Sequence, residues 1–543
     1  MSGAIPFSRS LGERSGVQLG YIKDESERFV GNDSGQVFAG VGRFTRGRID
    51  KAFEVTRDEM TRLLGAPGSP TVNALNEAML QIYESFKNGS QRAVIARLVP
   101  AAASLKWLVA KAQADAGPPE VPVWSVSAGT SAPTSAFLLA IRHLECFNEG
   151  VKAEIHAEAA EDEDGDPAAS KSVRIRIFDL SGGLLFSFSG SLDPAATNDF
   201  GESIYLPNVV SQQTDLLEVV VAANASVPTT SGYYGDDTDG SAKTASADLV
   251  YFTEGGTTYA SGDIDRAVGL LRETMFPFGY IAGLGTQSTT VITKLGELGP
   301  EINTQVVLDV PGTLGVDAAI AFANQFNFDS HYIHWYWAPL RAIDPLNGGK
   351  ITFGVSGAQI GLRCKRNANT DANGVPPKNY PIAGKNWPLT RTAIVQDVTP
   401  SDPDLEKLAK ARINPVIYQT YNTGSAFVFY DSLTAAKTSA DRKLIAVAEM
   451  SSQVDAWVTA QVKEYLQLPM TETIRRTTNY LKTLFEGLET AKWLVSSASL
   501  EGSAFKATVK PNAQKPKTHD DVSYWMSYDG TTRAIFVQQT ISK

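Results

Sequence analysis

Residues 36–100 constrain the fold most, because they read as strand, turn, short helix, longer helix and strand in quick succession. The apolar run Val37-Phe38-Ala39-Gly40-Val41 is a strand, closed by Gly42 and a basic turn over 43–48. Thr56-x-x-Glu59 has the form of a capping box, so a short helix should open there and stop at Gly65. Leu75, Met79, Ile82, Tyr83 and Phe86 recur at helical spacing, which buries one face of a second helix. Asn88-Gly89 supplies its C-cap, and the apolar run 93–99 is a buried strand.

Further along, the pattern alternates between strands and helices. A helix begins at Asp263 with Ile264, Val268, Leu271 and Met275 on one face, followed by a strand over 278–282. A helix over 290–298, a strand over 304–310, a helix over 317–326 and a strand over 331–337 come next. Such alternation implies a mostly parallel sheet. Residues 405–430 read as a short helix, a strand, a turn at Asn422-Thr423-Gly424 and a second strand. Two amphipathic helices follow. The first carries Val447, Met450, Val454, Val458, Val462 and Tyr465, is broken by Pro469, and precedes a second over 471–493 with Ile474, Leu481, Phe485 and Leu488.

Residues 118–262 differ in texture. They offer a hairpin over 173–189 and short strands near Ile204 and over 217–222. Polar stretches at 158–166 and 226–247 read as solvent-facing loops. Asp162, Asp164 and Asp166 suggest a calcium loop, but Pro167 and Val173 stand where an EF-hand needs its glycine and glutamate.

At 543 residues the chain exceeds one ordinary core, so several domains are expected. A net charge of −10 provides no basic excess for a phosphate backbone, so no nucleic-acid partner is expected. Cys146 and Cys364 form no metal spacing and fit free thiols in a reducing compartment. No apolar run reaches the roughly 18 residues of a membrane span, and the first 20 residues lack the apolar core of a signal peptide, so a soluble protein without membrane insertion is expected.

Catalytic chemistry finds little support. Gly40-Val41-Gly42 follows a strand, but the next glycine is Gly47 and no helix opens there, unlike a dinucleotide fingerprint. His331 and His334 point to opposite faces of a strand, His143, His156 and His519 sit in no catalytic spacing, and there is no Gly-x-Ser-x-Gly. Asp309 and Asp344 end strands in the α/β region without an evident partner. The expectation is a non-enzyme with no catalytic residues, cofactor or metal.

Several of these pieces together resemble the contractile tail sheath proteins of bacteriophages and phage-like contractile injection systems. The matching features are "GRF.RG" after the first strand, "F.NG" before the second, and VVLDVPGTLGVDAAIAFANQF followed by an aromatic strand ending in Trp337-Ala338-Pro339. ITFGVSGAQIGLRC and LEKLAKARINPVIYQTYNTGSAFVFY complete the match. The resemblance covers 36–100 and roughly 304–497. The chain departs from the family where Arg412-Ile413-Asn414 and Tyr430-Asp431-Ser432-Leu433 replace the usual Gly-Ile-Asn and Trp-Gly-Ala-Arg-Thr-Leu.

The resemblance implies an α/β (mixed α+β), multi-domain protein. Its core α/β domain is built from 36–117 and 263–505, with a β-rich outer domain inserted at 118–262. An N-terminal arm (1–35) and a C-terminal β segment and arm (506–543) flank it. It further implies a structural subunit that stacks in rings of six around a tail tube and contracts to drive the tube through the host envelope. The partners would be itself, the tail tube protein, and baseplate and tail terminator proteins, in a virion tail assembled in the bacterial cytoplasm. The alternatives are another tail or baseplate structural protein, or an α/β enzyme.

Two sets of residues follow as candidate contacts. Strand-forming runs at both ends, carrying Val17, Leu19, Tyr21 and Ile22 and then Ala534, Ile535, Phe536, Val537 and Ile541, would be aggregation-prone edges in a monomer and are expected to be donated to neighbouring subunits. Arg475, Arg476 and Lys482 lie free in the first half of the helix over 471–493, and basic charge near a helix N-terminus does not help the helix dipole. By the resemblance, this helix meets the tube.

Overall fold

The computed structural model describes residues 33–113, 123–129, 137–146, 152–157, 160–161, 167–168, 172–179, 183–223, 252–438 and 440–539. The N-terminal run with Val17, Leu19, Tyr21 and Ile22 lies outside them, as do Asp162, Asp164, Asp166, the stretch 226–247 and Ile541. The described chain forms two compact units. The larger comprises Asp33–Arg366, Tyr380–Ser452 and the residues from Gly530 onward; the smaller includes Asn367–Asn379 and Gln453–Asp529.

An eight-stranded sheet organises the larger unit. Its strands are β1 (Val37–Gly42), β2 (Phe53–Thr56), β3 (Arg92–Arg97), β4 (Tyr280–Ala282), β5 (Gln305–Val310), β6 (Ile333–Trp337), β7 (Ile413–Tyr421) and β8 (Gly424–Phe429). The spatial order is β2-β3-β1-β4-β5-β6-β7-β8. The inner six strands are parallel, and the two edge strands run antiparallel. Every residue of β1, β5 and β6 is buried, which a parallel sheet covered on both faces requires.

Side chains alternate between two apolar cores. Phe38 and Tyr336 enter one core with Ile82, Phe86 and Ile360, beneath helices α1 (Glu77–Asn88) and α2 (Ser356–Asn367). Val37, Ala39, Trp335 and Trp337 enter the other, beneath the helices Ser261–Glu273, Thr289–Glu301 and Val316–Asn324.

Helices α1 and α2 cross closely because α2 carries glycine at the crossing. A Cβ on Gly357 would fall 2.0 Å from the Gln81 carbonyl oxygen, and one on Gly361 would fall 2.4 Å from that of Ser85. Backbone, unlike a flexible side chain, cannot step aside. Gly357→Ala is therefore expected to destabilise the protein by about 1–3 kcal/mol through overpacking. The lowered urea midpoint would show it; an unchanged midpoint would mean the helices part without loss.

Four departures from the sequence expectations have local causes. Thr56 ends strand β2, and the helix begins only at Met60 with Glu59 at its cap position; the Thr56 hydroxyl donates to the Glu59 carboxylate at 3.0 Å. The alternating Phe53 and Val55 gain more by joining β3 than by preceding a helix. The region after Ile204 forms a helix, Leu206–Gln213, with a proline in its first turn. Met275 lies past the helix end at Glu273 and is fully exposed. The run 531–539 forms no strand.

Within 107–221, antiparallel strands make two larger sheets, besides a two-stranded pairing of Ala160–Glu161 with Pro167–Ala168. One orders Leu217–Val221, Leu139–His143, Trp107–Gln113 and Val123–Gly129; the other orders Leu184–Ser191, Ser172–Phe178 and Lys152–Ala157. The basic turn after β1 anchors them. Gly47 donates its N–H to the Glu145 carbonyl at 2.7 Å, Arg46 and Arg62 pair with the Glu145 carboxylate, and Arg48 donates to the Asp215 carbonyl at 2.9 Å. Buried Arg97 donates to the carbonyls of Gly47 and Cys146. Burial pushes the Cys146 thiol up to about 12, so it stays an unreactive thiol.

In the smaller unit, helix α4 (Met470–Thr490) packs Phe485 against Phe505 and Tyr524 of a two-stranded hairpin, Phe505–Pro511 with Asp520–Met526. Trp457 stacks on the buried Trp493, whose indole N–H donates to the Pro376 carbonyl at 2.9 Å. Trp457 lies on helix α3 (Ile445–Glu464).

Candidate assembly surfaces

The carboxylates at the strand ends have partners, all of them structural. Asp309 Oδ1 accepts the N–H groups of Val355 (2.6 Å) and Ser356 (2.9 Å), and so caps α2. Asp344 accepts from the N–H groups of Leu346 and Asn347 and holds a turn. These backbone amides carry no side-chain signature and so left no signal in the sequence; Asn347 Nδ2 also donates to Asp344 Oδ2 at 3.0 Å. His334 is buried on β6, its Nδ1 3.0 Å from Arg363 Nη1; burial and that guanidinium hold it well below the usual histidine range, so it is neutral. His331 precedes the strand, and its ring lies against Tyr332. Among the described residues no three His, Cys, Asp or Glu side chains gather as a metal-ligand set, and no helix is long and apolar enough to cross a membrane.

The surface is more informative. After Arg533, whose guanidinium pairs with Asp431, the chain forms no helix or strand through residue 539. Ala534 is exposed, Ile535 is 78% exposed, Phe536 98% and Val537 89%. Three consecutive large apolar side chains in water form a liability that a folded protein normally covers.

The hairpin in the smaller unit shows the complementary feature. Among the described residues no third strand pairs with either of its outer edges, and Trp525 is half exposed. The sequence reads as a β segment from 506 onward, and the hairpin lies there, opening one residue earlier at Phe505.

Arg475 and Arg476 are exposed on α4 but are not free: both donate to Glu472 one turn earlier, and together they hold its carboxyl down to about 2. Lys482 lies 3.9 Å from Glu486. Glu472 sits in the first helical turn, where it offsets the unfavourable effect of the two arginines on the helix dipole.

No protein-family model matches the chain, and neither does any curated protein. Solved structures do. The sheath tail protein Lin1278 from Listeria innocua superimposes with a TM-score of 0.51, covering 91% of this chain and 94% of its own at 8% identity. The chain has the fold of a sheath tail protein. Two further structures are similar at lower scores. The sheath tail protein DSY3957 from Desulfitobacterium hafniense scores 0.46 at 11% identity over 94% and 100% of the two chains. The helical sheath of the anti-feeding prophage in its contracted state scores 0.48 at 10% identity over 97% and 99%. At such identities, what this chain has in common with them is the path of the backbone.

Proposed function

We propose that the protein is the structural subunit of a contractile tail sheath, polymerising around a tail tube and contracting to drive that tube through a host envelope. The observation that carries this reading is the sheath-protein fold running over 91% of the chain. The hairpin, which no third described strand joins, and the exposed apolar run at 534–537 support it, because one copy's run can add a strand to another copy's hairpin. Such a link holds through backbone hydrogen bonds while the tether bends, which suits subunits that stay joined as rings compact. The work then comes from an assembled state relaxing to one with larger buried interfaces, and no nucleotide is required.

In this reading copies stack as rings of six, residues 118–262 face outward, and baseplate and terminator proteins close the ends. The site of action is a virion tail assembled in the cytoplasm of a bacterial host. Negative-stain microscopy of the purified protein tests the proposal directly: rings or tubes are expected, and discrete particles at every concentration and salt would overturn it.

The tube contact is assigned to α4. Surface ion pairs such as those of Arg475 and Arg476 contribute little, so exchanging Glu472 for an acidic residue on the tube costs little. Reversing all three charges (Arg475→Glu, Arg476→Glu, Lys482→Glu) is expected to abolish assembly on tubes while leaving tube-free polymerisation intact. Unchanged loading on tubes would remove this contact from the proposal.

A further inference from the structure

Among the described residues the chain passes between the two units after Arg366, Asn379, Ser452 and Asp529. The first three passages begin at or within three residues of one buried cluster, all of whose groups belong to the larger unit. Arg366, at the end of α2, donates from Nη1 to the Tyr380 carbonyl at 2.9 Å and from Nη2 to the Glu449 carboxylate. Glu449, in the first half of α3, also pairs with Arg363 Nη1 at 2.8 Å. Arg363, Arg366 and Glu449 are all at least 98% buried.

Two guanidinium groups face one carboxylate, so the cluster needs further acceptors. The sheet supplies them: Tyr336 OH accepts from Arg363 Nη2 at 2.8 Å, and the Tyr280 hydroxyl lies 3.4 Å from Arg366 Nη2. His334 Nδ1 takes the remaining contact with Arg363. Strands β4 and β6 thereby hold the cluster in place.

Buried ion clusters are seldom more stabilising than apolar side chains of the same volume, and their best-attested contribution is fixing one geometry. The geometry fixed here is that of chain exits. We propose that Arg366 is a junction residue that ties the end of α2, the backbone at Tyr380 and the first half of α3 to the sheet, so that three of the four connections among the described residues leave from fixed roots. Its planar fork serves several partners at once, which a lysine ammonium cannot do in the same geometry. The junction is independent of what the protein assembles into.

Hydrogen exchange by mass spectrometry on the full chain tests this with Arg366→Lys, which keeps the charge, and Glu449→Gln, which keeps the shape. Amides in 367–380 and 449–456 are expected to exchange at least tenfold faster in both variants, with β1, β5 and β6 unchanged. Wild-type rates in those segments, or equal acceleration throughout the sheet, would overturn the proposal; the latter would mark an ordinary core defect. Should Glu449→Gln fail to fold, Arg366→Lys alone decides between these outcomes.

Discussion

Removing residues 533–543, or residues 1–34, is expected to leave a soluble, folded monomer that no longer forms tubes. Ile535, Phe536 and Val537 are almost wholly in water, so folding gains nothing from them. Covering them in a neighbour would contribute about 1.5–3 kcal/mol per side chain, beyond the backbone ladder. The C-terminal deletion also removes the pairing of Arg533 with Asp431, a partly exposed ion pair contributing roughly 0–1 kcal/mol. The melting transition should therefore stay within a few degrees of wild type while assembly is lost. Electron microscopy and calorimetry on the same samples separate the outcomes. A truncated chain that unfolds, or one that still builds tubes, shows that the run belongs to its own domain. The same test applies to 1–34, where the alternation of Val17, Leu19 and Tyr21 is the motivating pattern.

Glu77→Gln is expected to stabilise the protein increasingly as pH rises from about 5 to 8. The Glu77 carboxyl lies beneath Gly354, accepting its N–H at 2.7 Å and that of Gln81 Nε2 at 2.8 Å. Burial first, and then the nearby Asp309 carboxylate, push it up to about 8, although those two hydrogen bonds and Arg391 act against the shift. Arg391 is itself held by Glu84 and lies over the Phe353 ring.

The unfolded chain releases this proton near 4.5, whereas the folded chain keeps it until about 8. The stability from the protonated form is thus complete below 4.5 and declines through that window by about 1.4 kcal/mol per pH unit. Glutamine cannot ionise, and its amide oxygen can still accept from Gly354. Asp309 is also raised by burial, and its repulsion with the Glu77 carboxylate is part of what the glutamine relieves. Urea midpoints at pH 5 and pH 8 are the measurement. A difference between variant and wild type that does not change with pH would show that Glu77 ionises freely.

The sequence by itself determined the elements whose signal is local. The continuous apolar runs at 37–41 and 93–99 became central parallel strands, and the spacing of Met79, Ile82 and Phe86 became the buried face of α1. Gly65 and Gly89 stop helices where positive φ was required, at +83° and +122°. Each of these depends on neighbours within about four residues.

What only the tertiary structure decided depends on partners far along the chain. Phe53–Thr56 is a strand because β3 offers it an edge, and no local pattern announces an edge. The basic turn over 43–48 looked like loop chemistry until Glu145 and Asp215, about a hundred residues or more away, took its charges. Asp309 lacked a partner in the sequence because its partners are amides at the start of α2. The run at 534–537 has strong β propensity yet forms no strand, because a strand exists only where a second backbone completes its hydrogen bonds, and none of the described residues of its own chain does so.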